Sequence, residues 1–153
     1  MTNDEKFMAM ALKEARIAAE CGDIPIGCVI TEGDKVIAKA HNMRQLKKLT
    51  TAHAEILAIN KACKEKEVWI LDEATMYVTI EPCPMCAGAI LNARIKRLVI
   101  GAMEPKFGAC GSIVNLLDNP KFNHQVTITS GVLAEEASSL MKNFFQLLRQ
   151  NKN

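Results

Sequence analysis

The order of apolar and polar positions divides the chain into alternating helical and extended stretches. Asn3, followed by Asp4 and Glu5, reads as an N-cap with an acidic first turn, opening a helix with Met8, Leu12, Ala15 and Ala19 on one stripe until Gly22. Ile26 to Ile30 and Val36 to Ala38 are short runs of β-formers flanking Glu32-Gly33-Asp34, so a hairpin is the simplest reading. A polar loop follows from Met43 to Thr50. From Ala52, the residues Ile56, Ile59 and Cys63 recur at helical spacing and end in the charged run Lys64-Glu65-Lys66-Glu67, a solvated helix end. Thr75 to Ile80 and Arg97 to Ile100 read as strands separated by one helix, a unit that is normally parallel and right-handed. Val126 to Thr129 suits a fifth strand, and Ala134 to Asn151 a final helix with Leu140, Phe144 and Leu148 spaced by four. The expected fold class is α/β: a three-layer α/β/α sandwich around a mostly five-stranded mixed sheet.

Two stretches in this pattern carry chemistry: Thr51-Ala52-His53-Ala54-Glu55 and Glu81-Pro82-Cys83-Pro84-Met85-Cys86. Two cysteines at i and i+3, with Pro82 ahead of them, place two soft thiolates on one face of a helix's first turn. His53 makes three ligands. Structural zinc sites close at four protein ligands, whereas catalytic ones stop at three and leave the fourth position to water. One zinc per chain is therefore expected on His53, Cys83 and Cys86, with Zn–S near ~2.3 Å and Zn–N near ~2.0–2.1 Å. His53 and Glu55 would point about 200° apart on a regular helix. Both can face one centre only if the helix begins at or next to His53. Glu55 is then free of the metal and placed to move the proton of a water whose pKa zinc lowers from 15.7 to about 7.

His-x-Glu followed by Pro-Cys-x-x-Cys is the known signature of zinc nucleobase deaminases. The chain resembles the TadA-type tRNA adenosine deaminases along nearly its whole length, from Gly22-Asp23-Ile24-Pro25-Ile26-Gly27 through both zinc motifs and Cys86-Ala87-Gly88-Ala89 to Gly108-Ala109-Cys110-Gly111-Ser112 and Phe144-Phe145. That resemblance implies a cytidine deaminase-like fold and hydrolytic deamination of adenosine to inosine in RNA, at the wobble position of a tRNA anticodon, with the base splayed out of its loop toward the metal. It also implies a homodimer whose RNA spans both subunits. Asn42, eleven residues before His53, would hydrogen-bond the nucleoside, although a lone Asn is more often a turn residue. Ile26 would wall the base pocket or simply belong to the core. Ala54, Lys106 and Phe145 are the other substrate contacts that the resemblance implies. Glu104 stands where the family usually has aspartate, so it would meet a ribose 2′-OH or else pair with Lys106 as an exposed loop acid.

Other readings stay open at this point. Pro-Cys-Pro-Met-Cys also occurs in free-base or nucleoside deaminases of the guanine or cytosine type, and a free-base enzyme would close the pocket with a lid or its own C-terminus where a tRNA enzyme leaves the mouth open. Leu49-Thr50 replaces the family's usual Asp-Pro, and the ending Gln146-Leu147-Leu148-Arg149 is poorer in arginine than is common. A silent zinc protein serving as an RNA-binding partner subunit would have no chemical need for Glu55.

Composition narrows the setting further. A chain of 153 residues fits one domain, 1–153, with a real core. No stretch approaches a membrane span, and Asn3-Asp4-Glu5-Lys6 is no basic leader, so a cytoplasmic protein is expected. Of six cysteines, Cys83 and Cys86 go to the metal, and Cys21, Cys28, Cys63 and Cys110 read as small buried hydrophobes without disulfides. The net charge of +2 is small. Its distribution says more: Arg44, Lys47 and Lys48, then Arg94, Lys96 and Arg97, then Lys142, Arg149 and Lys152 form clusters that could follow a phosphate backbone or could be solvated faces.

Overall fold

The computed structural model describes residues 1–151, so Lys152 lies outside the described residues. The elements run α1 (Asn3–Glu20), β1 (Gly27–Glu32), β2 (Lys35–His41), α2 (Arg44–Lys47), α3 (Ala54–Lys66), β3 (Ala74–Ile80), α4 (Pro84–Asn92), β4 (Arg97–Ala102), β5 (Thr127–Thr129) and α5 (Ala134–Asn151). They form one mixed sheet in the order β2-β1-β3-β4-β5. β1 is antiparallel to β2 and to β3, while β4 runs parallel to β3 and to β5. The hairpin turns at Gly33-Asp34, where Gly33 takes φ +59°.

The three central strands are apolar on both faces, because helices cover each side. Cys28, Ile30, Met76, Val78, Leu98 and Ile100 pack with α3 and α4, whereas Val29, Tyr77 and Val99 pack with α1 and α5. The α/β/α layering follows directly. Helix α1 lies so close to β1 that a Cβ added at Gly27 would stand 1.9 Å from the Ala11 carbonyl oxygen, a contact only glycine permits. At its other end, Arg97 donates to both carboxylate oxygens of Asp4 at 2.9 and 2.6 Å, and the Tyr77 hydroxyl donates to Asp4 at 3.2 Å. The Arg97 hydrogen bond holds the Asp4 carboxyl below its ordinary range despite partial burial.

Several local expectations are corrected. The N-cap of α1 is Thr2, whose hydroxyl accepts the Glu5 N–H while the Glu5 carboxylate accepts the Thr2 N–H. Ala18, not Ala19, completes the buried stripe of that helix. The 43–50 stretch contains the helical turn α2, tied down where Asp23 Oδ2 accepts the Gln45 N–H at 2.8 Å. Cys21 is exposed and Cys63 half-buried, since neither faces the sheet core fully. Arg97 is committed to Asp4 and is no backbone-tracking cation. Among the described residues, no helix is long and apolar enough to cross a membrane.

Candidate active site

The chain brings its two chemical motifs together at the C-terminal end of β3. Leaving β3, the backbone passes Glu81-Pro82 to Cys83, the N-cap of α4, with φ −75° and ψ 173°. The proline at the first helical position is Pro84, so Pro84 rather than Pro82 supplies the pre-set φ and the dispensable N–H. His53 is likewise the extended N-cap of α3, at φ −79° and ψ 152°, which frees its ring from the helical direction imposed on Glu55. Two helix N-termini thus converge on one point, where their dipoles favour thiolate and hydroxide.

His53, Cys83 and Cys86 present ligand atoms within 4.8 Å of one another. His53 Nδ1 lies 3.8 Å from Cys83 Sγ and 3.6 Å from Cys86 Sγ. A tetrahedral zinc with ordinary bond lengths needs an N···S separation of about 3.6 Å, so the donor set fits the ion in type and in span. Among the described residues no fourth His, Cys or carboxylate joins the cluster, leaving one position open. The electrostatics agree. The hydrogen bond from Cys86, and a lesser one from His53, draw the Cys83 thiol down to about 4, while Cys86 is pushed up because it holds the shared proton and is buried. The hydrogen bond with Cys83 raises His53. A cation bound there would displace the proton that Cys83 and Cys86 share and let both sulfurs serve as thiolates.

Glu55 is 3 % exposed, in the first turn of α3 and outside the ligand cluster. With protein groups alone, burial raises its carboxyl to about 7, partly offset by its own backbone N–H. A nearby dication would draw that value back down. Asn42, 2 % exposed, points its Oδ1 at the Ala54 N–H, 2.8 Å away. It therefore caps the helix between His53 and Glu55, while its amide nitrogen, with no protein acceptor among the described residues, lies on the cavity wall. Asn42→Ala should accordingly cost about 1–3 kcal/mol by leaving a buried N–H unsatisfied, and should raise KM in addition. Urea unfolding alongside steady-state kinetics checks both; an unchanged kcat/KM would limit Asn42 to the cap.

The cavity, about 210 Å³, is walled by Ile24, Ile26, Asn42, Arg44, His53, Glu55, Ile80, Glu81, Cys83, Glu104, Phe107, Met141 and Phe145. Ile26, Asn42, Glu104 and Phe145 are thus brought to it. Ala54 is fully buried and its N–H is spent on Asn42. Lys106 stands on an adjoining groove of about 700 Å³, with Glu104, Met141, Lys142, Phe145, Gln146 and Arg149. Glu104 Oε1 accepts the Lys106 N–H at 3.0 Å, so its carboxylate both shapes its own turn and borders the cavity. Sequence reasoning missed Ile24, Met141 and two buried carboxylates, Asp23 and Glu81. Burial would push the Glu81 carboxyl up, but Ser112 and three backbone N–H groups together hold it below the usual range.

The profile of MafB19-like deaminases matches residues 2–149. The tRNA-specific adenosine deaminase of Bacillus subtilis is 48% identical over 152 residues, 99% of this chain and 94% of that protein. Its counterpart from Haemophilus influenzae is 46% identical, covering 97% and 87%. A structure from a study of A-to-I editing by tRNA:A34 deaminases at the wobble position superposes with TM-score 0.85 at 42% identity, over 88% of this chain and 98% of that one. A guanine deaminase from Nitrosomonas europaea superposes with TM-score 0.77 at 24% identity, over 92% and 83%, a likeness of fold alone.

Proposed function

This chain belongs to the MafB19-like deaminase family and groups with its tRNA-specific adenosine deaminase relatives, and from that premise we propose that it hydrolyses adenosine to inosine in RNA, at the wobble position of a tRNA anticodon. The observation that carries this reading is the joining of a base-sized cavity, floored by His53, Cys83 and Glu55, to a wider groove bearing Lys106, Lys142 and Arg149. A free base needs only the cavity. A polynucleotide needs the cations beyond it.

His53, Cys83 and Cys86 would hold one zinc per chain. When bound there, zinc supplies a Lewis acid that makes hydroxide available at neutral pH. Glu55 takes one proton from the attacking water and gives it to N1 of the adenine, then takes the second proton from the oxygen now bonded to C6 and gives it to the amino group, which leaves as ammonia while C6=O forms. Burial favours the protonated carboxyl and a nearby cation the carboxylate, so the two influences on Glu55 oppose each other, as a group that both takes and gives a proton requires. Asn42 offers an amide N–H to the nucleoside, and Ile26 and Phe145 enclose the base. Glu104 and Lys106 face the flanking ribose and phosphate, and Ala54 fixes the direction in which His53 and Glu55 leave their helix.

The whole chain acts as one deaminase domain, in the cytoplasm with its tRNA. The assembly proposed with it is a homodimer whose RNA spans both subunits, as the family resemblance implies. Incubation of the purified protein with bulk tRNA, and separately with free adenosine, guanine and cytosine, tests the substrate. Inosine in the tRNA digest is the expected product. Ammonia from free guanine with no inosine in tRNA would overturn the reading.

A further inference from the structure

The glycine-rich loop after β4 has little regular structure to hold it, and one side chain does much of that work. Glu81, 4 % exposed, accepts the Glu104 N–H at Oε1 at 2.8 Å, and at Oε2 the N–H groups of Cys110 and Ser112, each at 3.0 Å. The Ser112 hydroxyl donates to Oε1 as well. Gly108 closes over the same carboxylate so tightly that a Cβ there would stand 2.2 Å from Glu81 Cδ. Glu104, the first of these anchor points, and Phe107, just before Gly108, wall the cavity.

The segment carrying the cysteines has separate fastenings. The Glu81 N–H donates to the Ala102 carbonyl and the Ala109 N–H to the Pro82 carbonyl, both at 2.9 Å. Removing the Glu81 carboxylate would leave both bonds in place. The side chain therefore governs the loop wall more than the metal turn.

We infer that Glu81 is a positioning residue: it sets the distance between the Glu104–Phe107 wall and Glu55, and through that wall determines how tightly the substrate is held. The functional half of this inference rests on the deaminase reading above. On the proposed reading both loop residues would hold the substrate away from its reacting atoms, so their displacement should appear in KM rather than kcat.

Two variants of the zinc-loaded enzyme disturb the arrangement by opposite means. Glu81→Gln turns one acceptor oxygen into a donor that faces N–H groups, while Gly108→Ala keeps the carboxylate and pushes it aside. Each should retain one zinc per chain and lose about tenfold or more of hydrogen-exchange protection at the amides of Glu104, Cys110 and Ser112. Each should raise KM for an anticodon stem-loop RNA about tenfold, with kcat within about threefold. Unchanged protection, zinc loss in step with activity, or a fall in kcat at constant KM would overturn the inference. Should Glu81→Gln fail to fold, Gly108→Ala decides alone. Exchange and zinc content report on the loop whatever the substrate, so a wild-type enzyme inert toward RNA would count against the deaminase reading and leave the positioning role to be decided by exchange.

Discussion

Glu55→Ala should keep the zinc and the fold and lose deamination by at least about 10²–10⁴-fold, the range assigned to one general acid–base group. The loss should exceed that range's lower end, because two successive proton transfers use this carboxylate. No neighbour can take over. Glu81 spends both oxygens on loop donors, and Glu104 Oε1 is engaged with the Lys106 N–H on the far wall. Metal retention follows from the ligand trio, which excludes Glu55. Single-turnover rates at saturating RNA, with metal analysis of the same sample, separate chemistry from binding. Glu55→Gln, which keeps the volume and the buried amide partner but cannot carry a proton, should fall as far as Glu55→Ala. Near-normal turnover in either variant would sink the proposed role.

The parts of this site legible in the sequence are those whose chemistry admits few residue types. Thiolate and imidazole ligands announce themselves by spacing, and the problem of aiming His53 and Glu55 at one centre already required a helix start at His53, where α3 does start. The hairpin at Gly33-Asp34 and the parallel pair β3 and β4 were equally readable from turn chemistry and from crossover length. The Thr2 cap carried its signal too: Thr-x-x-Glu is a capping box, and Asn3, the competing cap, instead opens the first turn of α1 and donates to Asp34 Oδ1 at 3.3 Å. Other features had no local trace. Glu81 meets donors 23 to 31 residues away, and Asp23 meets Gln45 across 22. Such buried carboxylates look like surface acids until the fold supplies their N–H partners. Asn42 shows the mixed case, because its distance from His53 suggested a substrate contact and it does line the cavity, while its cap on the Ala54 N–H depends on how two loops meet.

Cys86→Ala should be the most damaging single change at the site, abolishing zinc binding, activity and part of the stability together. Cys86 is fully buried in the first turn of α4, within 3.6 Å of His53 Nδ1, and its loss leaves one thiolate and one imidazole for the ion. Two ligands with no third make a poor zinc site. Binding free energy that favours only the folded chain is also folding free energy, so the variant should melt below the wild type even though Ala suits a helix at least as well as Cys. The comparison that isolates this coupling is chelation. Wild-type protein stripped of zinc should fall toward the melting temperature of Cys86→Ala and recover on adding zinc, while the variant should respond to neither treatment. Exposed Cys21→Ala, changed as a control, should leave metal content and melting temperature unaltered. Full zinc occupancy in Cys86→Ala would remove this thiolate from the ligand set, and with it the three-ligand arrangement on which an open catalytic position depends.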